Sequence, residues 1–129
     1  MTAPGACPCG SGVRFDDCCG PLLDGVPGAT AEAVMRSRFT AYVLGDRDHL
    51  LRTWHPRTRP DDDDPDPPTV TWTGLRVTVT RDGGLDDDTG VVSFEAGFRT
   101  GGRDEVMSET SWFERRAGRW FYVGPLAET

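Results

Sequence analysis

The chain has 129 residues, a formal net charge of −7 at neutral pH and a charged fraction of 27%. This length allows one domain with a modest core. The acidic balance disfavours an extended contact with nucleic acid or with an anionic membrane. No apolar run in the sequence approaches the roughly 18 to 20 residues that a membrane span needs. We therefore expect neither nucleic acid nor membrane as a partner.

All four cysteines fall within the first 20 residues. Cys7 and Cys9 are separated by one residue, and Cys18 and Cys19 are adjacent. Four thiolates that a tight backbone brings to about 2.3 Å from one centre form a tetrahedral zinc site. We predict that Cys7, Cys9, Cys18 and Cys19 bind one structural Zn²⁺ in a knuckle spanning residues 5–21. Such a closed ligand set leaves no open position at which zinc would activate water.

Two disulfides, for example Cys7 with Cys18 and Cys9 with Cys19, are the main alternative to zinc. Free thiols and an iron–sulfur cluster are two others. Disulfides belong to oxidising compartments. The N-terminal residues are polar and rich in Gly and Pro, without the basic start and apolar stretch of a secretory signal. This favours zinc, and with it a cytoplasmic location.

The loop between the cysteine pairs predicts a short helical segment. Residues 13–19 are long enough for one or two helical turns, Gly20 is a natural stop, and Pro21 would prevent continuation. Phe15 is the large apolar residue of this loop, and we expect it to cover the metal site. Residues 22–29 are then predicted to connect the knuckle, residues 1–21, to a body formed by residues 22–129.

Two helices are predicted at the start of the body. Thr30 is a good N-cap for a helix over residues 31–44, which Gly45 would end. A second short helix begins after Asp46, carries Leu50 and Leu51 inward, and ends near residue 53. The apolar stripe of the first helix consists of Ala31, Val34, Met35, Phe39 and Tyr42, with Arg38 in its middle.

The rest of the chain alternates between an acidic loop and strands. Residues 61–68 are rich in Asp and Pro and predict an exposed loop, for which calcium binding is a minor alternative. From residue 69 onward the apolar period changes to two, with a kink or bulge near Gly74. Turn signals at Gly83–Gly84, Gly101–Gly102 and Ala117–Gly118 separate the strands. We expect a four-stranded antiparallel meander packed against the helices, an α+β fold.

Two parts of the sequence resemble known families. The spacing of the four cysteines around Gly10–Gly12 and Phe15, followed by Gly20 and Pro21, resembles the SEC-C motif, first recognised in the SecA translocation ATPase, where it binds zinc. The body resembles the YchJ-like family of small bacterial proteins. The residues that carry this second resemblance are those of segments 35–42 and 53–56 together with Glu109, Ser111, Phe113, Gly118, Trp120 and Tyr122.

The resemblance implies a cone similar to nuclear transport factor 2, in which helices and a curved four-stranded antiparallel sheet enclose a pocket. It also implies the same four cysteine ligands, but it supplies no activity. Candidate polar groups for the pocket are Arg38, Tyr42, His55, Glu95, Glu109 and Ser111. Because a charge on a buried stripe must be paired, Arg38 is hypothesised to face Glu95 or Glu109 inside the cone. A buried structural ion pair explains this arrangement equally well.

Three functional hypotheses follow from these patterns. In the first, the knuckle binds a protein partner, and the protein is an adaptor. In the second, the cone binds or transforms a small molecule, although the sequence predicts no catalytic residue, and His55 alone is weak support for a general base. In the third, zinc is purely structural and one sheet face binds a protein. The aromatic residues of the strands, among them Trp72, Phe94 and Tyr122, are assigned to packing in all three hypotheses.

Overall fold

The computed structural model describes residues 6–60 and 70–126 of the chain. In this part, a 3₁₀ turn and three α-helices precede four strands. The 3₁₀ turn is Phe15–Asp17, and the helices are α1 (Cys19–Leu23), α2 (Ala31–Leu44) and α3 (Arg47–Arg52). The strands are β1 (Thr71–Asp82), β2 (Thr89–Thr100), β3 (Arg103–Arg116) and β4 (Arg119–Pro125). The predicted acidic loop at residues 61–68 lies outside the described residues.

The strands form one antiparallel sheet in the order β1-β2-β3-β4, which confirms the predicted meander. The register places Phe94 of β2 opposite Glu109 of β3, and Phe113 of β3 opposite Tyr122 of β4. The kink expected near Gly74 is present, since the β1–β2 register shifts between Trp72 and Gly74. Two further register shifts, one in β1 and one in β3, were not predicted.

Helix α2 has the predicted bounds because both of its caps are local. The Thr30 hydroxyl accepts a hydrogen bond from the Ala33 N–H, and Gly45 takes a left-handed conformation with φ of 75°. The apolar stripe of α2 packs on the sheet, with Val34 and Phe39 in the core. Tyr42 lies on the same face and contacts the Trp72 ring, although it is 38% exposed at the end of the helix.

The helical segment near the cysteines differs from the prediction. Gly20 and Pro21 do not end a helix; both lie inside α1, which continues to Leu23. Pro21 is tolerated because the first turn of a helix has no intrahelical partner for its N–H groups. Gly20 is required by packing, since a Cβ there would lie 2.8 Å from the carbonyl oxygen of Phe15.

Helix α3 begins after Asp46, as predicted, and its buried residue is His49 instead of Leu50 or Leu51, which are half-buried. His49 is 2% exposed. Its Nδ1 accepts from Arg52, which also donates to the Leu23 carbonyl, so Nε2 carries the proton and donates to the Ser37 hydroxyl at 2.9 Å. This network ties α3 to both α1 and α2.

The longest helix among the described residues has 14 residues. No helix in this part of the chain combines the length and the hydropathy that crossing a membrane requires.

Replacement of Gly90 by Ala should destabilise the fold. A Cβ at this position would lie 2.5 Å from the Gly83 Cα, which belongs to backbone that cannot easily move. Overpacking of this kind costs about 1–3 kcal/mol of unfolding free energy, measured by urea denaturation. Gly124→Ala is the matched control, because nothing lies within 4 Å of a Cβ there. Equal losses in the two variants would contradict the assigned β1–β2 geometry.

The stability of the protein should fall as the pH drops from about 6.5 to about 4. Burial and the adjacent Arg52 charge lower the pKa of His49 to about 4 in the folded protein, whereas an unfolded histidine titrates near ~6.5. Between these values the unfolded chain binds the extra proton, so protonation favours unfolding. Chemical denaturation across this pH range checks the prediction. His49→Gln should show a shallower fall, and identical slopes would contradict it.

Candidate functional site

The four predicted metal ligands come together in the fold. The Sγ atoms of Cys7, Cys9, Cys18 and Cys19 all lie within 4.8 Å of one another, and the Cys9 and Cys18 sulfurs are 3.7 Å apart. A tetrahedron with metal–sulfur bonds of about 2.3 Å has an edge of about 3.8 Å. A disulfide would need a sulfur–sulfur distance of about 2.05 Å, and all four cysteines are free. The cluster therefore fits one tetrahedrally bound metal ion.

A tight loop and a helix start position the sulfurs. The N–H of Cys7 donates to the Val13 carbonyl at 2.9 Å, which closes the loop. Gly10 and Gly12 turn this loop with φ of 78° and 84°, values that side chains other than glycine rarely adopt. Cys18 precedes the first turn of α1 and Cys19 begins it, so both thiols lie at the N-terminal end of that helix.

The sulfur cluster packs directly on helix α2. Three of its cysteines are buried members of the hydrophobic core, while Cys18 is half-buried. The Cys7 sulfur lies 3.7 Å from the Thr40 hydroxyl, and Arg36 donates to the Cys9 carbonyl at 3.0 Å. The four cysteines are therefore held by the same helix that forms one wall of the cone.

The thiols also interact with one another. A hydrogen bond from Cys19 lowers the pKa of the Cys9 thiol, and the same bond raises the pKa of Cys19. The Ser11 hydroxyl lies 3.2 Å from the Cys18 sulfur. One thiolate is thus stabilised within the cluster by neighbouring donors, which is the form of cysteine that binds a metal.

A cavity of about 280 Å³ lies between helix α2 and the sheet. Most of its lining is apolar and aromatic. The Trp72 ring contacts two other aromatic rings of the lining. Its centroid lies 6.0 Å from that of Phe39 and 5.8 Å from that of Tyr42. The apolar lining residues are Met35, Phe39, Trp72, Phe94, Ala96 and Met107.

Arg38 is a charged residue in the cavity wall and is only 3% exposed. Its Nη1 donates to the Leu50 carbonyl at 2.8 Å and to the Thr53 hydroxyl at 2.9 Å. The guanidinium carbon lies 4.8 Å from the Trp54 ring centre and 4.5 Å from that of Tyr122. Burial lowers the pKa of Arg38 to about 10, so the side chain remains a cation at neutral pH.

Glu109 is the acidic residue of the same wall. Its Oε2 accepts hydrogen bonds from the Ser111 hydroxyl at 2.5 Å and the Tyr122 hydroxyl at 2.8 Å. Burial and the Glu109 carboxylate raise the pKa of Tyr122, which therefore stays protonated as a donor. These contacts orient the carboxylate against the cavity.

The structure brings together three of the six predicted pocket residues. Arg38, Tyr42 and Glu109 line the cavity, and Ser111 is buried beside it, bonded to Glu109. His55 and Glu95 do not line the cavity. His55 is buried near Glu114, with its Nε2 3.4 Å from that carboxylate. Glu95 alternates with the buried residues Phe94 and Ala96 along β2, and it contributes to a shallow surface depression.

The hypothesised ion pair between Arg38 and a glutamate is absent among the described residues. Glu109 lies in the same wall and raises the pKa of Arg38 through space, but the two side chains make no salt bridge. Backbone and hydroxyl acceptors and two aromatic faces surround the guanidinium instead. Cation–π contacts can stabilise a buried arginine in place of a carboxylate.

Sequence reasoning missed the cavity role of several aromatic residues. Phe94 and Tyr122 belong to the buried core and Trp72 packs against it, as predicted, and all three also line the cavity. Trp54 lines it as well, and its indole N–H is the buried side-chain donor without a hydrogen-bond partner in the described part of the chain. The signal available was the position of Trp54 directly after α3, one residue from the predicted candidate His55.

Comparisons with known proteins agree with this fold and cluster. A family model described as YchJ, middle NTF2-like domain, matches residues 30–125, and the SEC-C motif model matches residues 6–21. The chain belongs to the YchJ-like family. A UPF0225 protein from Chromobacterium violaceum is 49% identical over 128 residues, covering 96% of this chain and 94% of the relative. A UPF0225 protein from Streptomyces coelicolor is 49% identical over 118 residues and covers 91% of each chain.

Solved structures of two other proteins share the architecture of this YchJ-like chain. The solution structure of a SEC-C motif-containing protein from Rhodopseudomonas palustris has a TM-score of 0.81 at 36% identity and covers 95% of this chain and 98% of that one. The crystal structure of a SEC-C motif-containing protein from Psychrobacter arcticus has a TM-score of 0.76 at 23% identity, covering 99% and 85%. The family models, the UPF0225 relatives and the Rhodopseudomonas palustris structure confirm the predicted resemblance and the α+β cone with its N-terminal cysteine cluster, and the Psychrobacter arcticus structure agrees with the fold.

Proposed function

We propose that this YchJ-like protein binds a small molecule in its cone, and that a structural zinc ion at the cysteine cluster holds one wall of the cone in place. The observation that carries the proposal is the cavity of about 280 Å³ with an apolar, aromatic lining and a few polar groups. Ligand sites of folded proteins commonly have this combination. A packed interior would have favoured the adaptor hypothesis instead.

Zinc is the metal that the donor set favours. Four thiolates in tetrahedral arrangement suit zinc, and the closed set supports a structural role over a catalytic one. The ligands must be reduced to bind metal, so the proposal includes a reducing compartment, the cytoplasm. The contacts of Cys7 with Thr40 and of Cys9 with Arg36 support a bracing effect on α2.

Recognition of a protein by the knuckle has less support from the structure. Three of the four cysteines face the core, and the exposed part of the knuckle is the edge around Val13 and Arg14. A protein partner at that edge is compatible with a ligand in the cone. The cavity, however, is the feature with a defined chemical lining.

Loss of the metal should lower the melting temperature. Purified protein should contain one zinc per chain by mass spectrometry of the metal, and Cys19→Ser or chelation should remove it. Because binding energy of a structural metal is folding energy, we expect the melting temperature to fall by roughly 10 °C or more, at about 4 °C per kcal/mol. Asp16→Asn, on the exposed side of the knuckle, is the control. Full stability without metal would contradict the bracing role.

Small aromatic compounds of one or two rings should bind in the cavity. Toluene, phenol and indole are suitable probes, and binding should shift the indole N–H resonances of Trp54 and Trp72, which line the cavity, but not that of Trp112. Met107→Trp should weaken binding at least tenfold by filling the space. Val106→Trp is the matched control, because Val106 is the neighbouring residue, 66% exposed, on the opposite face of β3. No shift with any probe at millimolar concentration would refute the proposal.

A further inference from the structure

The formal charges in the cavity wall cancel. Of the residues that line the cavity, Arg38 contributes one positive charge and Glu109 one negative charge. The remaining lining residues are aromatic or aliphatic, and the polar groups they carry are two tyrosine hydroxyls and two indole N–H groups. A cationic ligand would be attracted by Glu109 and repelled by Arg38. An anionic ligand would be attracted by Arg38 and repelled by Glu109. Either one would leave a net charge in an apolar chamber, which is costly.

The cavity also has hydrogen-bonding capacity that the protein does not use. Glu109 accepts both of its hydrogen bonds through Oε2, which leaves Oε1 without a donor among the described residues. Arg38 donates to Leu50 and Thr53 through Nη1 alone, so its other N–H groups have no hydrogen-bond acceptor in the same part of the chain. Polar groups at an apolar cavity are more stable when paired, so unpaired ones in the lining indicate the groups that a ligand supplies.

The shape of the lining restricts the body of the ligand. Trp72 presents its ring among Phe39 and Tyr42 at centroid distances of 6.0 and 5.8 Å, typical of aromatic contacts. A volume of about 280 Å³ lies at the lower end of the usual range for ligand sites. A flat ring with one short polar substituent fits both observations.

From these three observations we propose that the ligand is a neutral molecule of about one aromatic ring that carries a hydrogen-bond donor and an acceptor side by side, as in an aromatic amide or a nitrogen heterocycle. The donor of the ligand binds Oε1 of Glu109, and its acceptor takes an N–H from Arg38. This inference rests on the proposed function and specifies the chemistry of the same site.

A series of compounds with one ring and different head groups tests the inference. Benzamide is neutral with a donor and an acceptor, benzoate is an anion, benzylamine is a cation, and toluene has no polar group. At pH 7, where Arg38 is protonated, benzamide should bind wild-type protein at least tenfold more tightly than either charged compound and more tightly than toluene. Dissociation constants come from titration of the Trp54 and Trp72 indole resonances.

Two variants assign the preference to the charge balance. Glu109→Gln removes the negative charge and keeps an acceptor for Ser111 and Tyr122, so the advantage of benzamide over benzoate should shrink at least fivefold. Ser111→Ala is the matched control, since it removes a hydrogen bond to Oε2 from outside the cavity lining and leaves both charges. It should retain the preference for the neutral compound. The dispersion of the amide spectrum reports whether each variant is folded.

The outcomes separate this inference from the proposed function. If toluene binds but a charged compound equals or exceeds benzamide, the inference fails and the binding function stands. An unchanged order of affinities in Glu109→Gln also overturns it. If no compound binds, the proposed function fails and this inference with it.

Discussion

Helix α2 contacts the cysteine cluster, helix α3 and the cavity through buried polar side chains, and the arrangement of the rest of the structure depends on these contacts. Thr40 contacts the Cys7 sulfur, Ser37 bonds His49 of α3, and Arg38 extends into the cavity wall. The three side chains are buried and polar, so each requires a partner at a fixed position. A rotation of α2 about its axis would break all three contacts together. The positions of the cysteine cluster, helix α3 and the cavity therefore all depend on helix α2.

Arg38 sets the position of the segment after α3. Its donors bind the Leu50 carbonyl and the Thr53 hydroxyl, while its face lies against Trp54 and Tyr122. The chain then pairs with β4 through the Trp54–Tyr122 bridge and the His55 N–H, which donates to the Tyr122 carbonyl at 2.7 Å. One buried cation thus links a helix, a loop and an edge strand of the sheet. Its desolvation cost is offset by contacts with all of them.

The features that the sequence predicted well are those set by short-range chemistry. Thr30 and Gly45 bound α2 because a cap depends on adjacent residues, and the spacing of the cysteines indicated their cluster. The strand order followed from glycine-containing turns between period-two segments. The cone itself entered through the resemblance to a family, since curvature of a sheet is not visible in its apolar pattern.

The features that were missed depend on long-range packing. The roles of Gly20 and Pro21 in α1 follow from contact with Phe15 and from their place in the first turn of a helix that the sequence alone did not locate. Trp54 and Tyr122 line the cavity together with Arg38 of α2, which is a contact between segments distant in the sequence. The sulfur cluster has a further consequence for biosynthesis: its four cysteines leave the ribosome before Thr40, so the thiols of the nascent segment stay exposed until helix α2, which shields them, has also emerged.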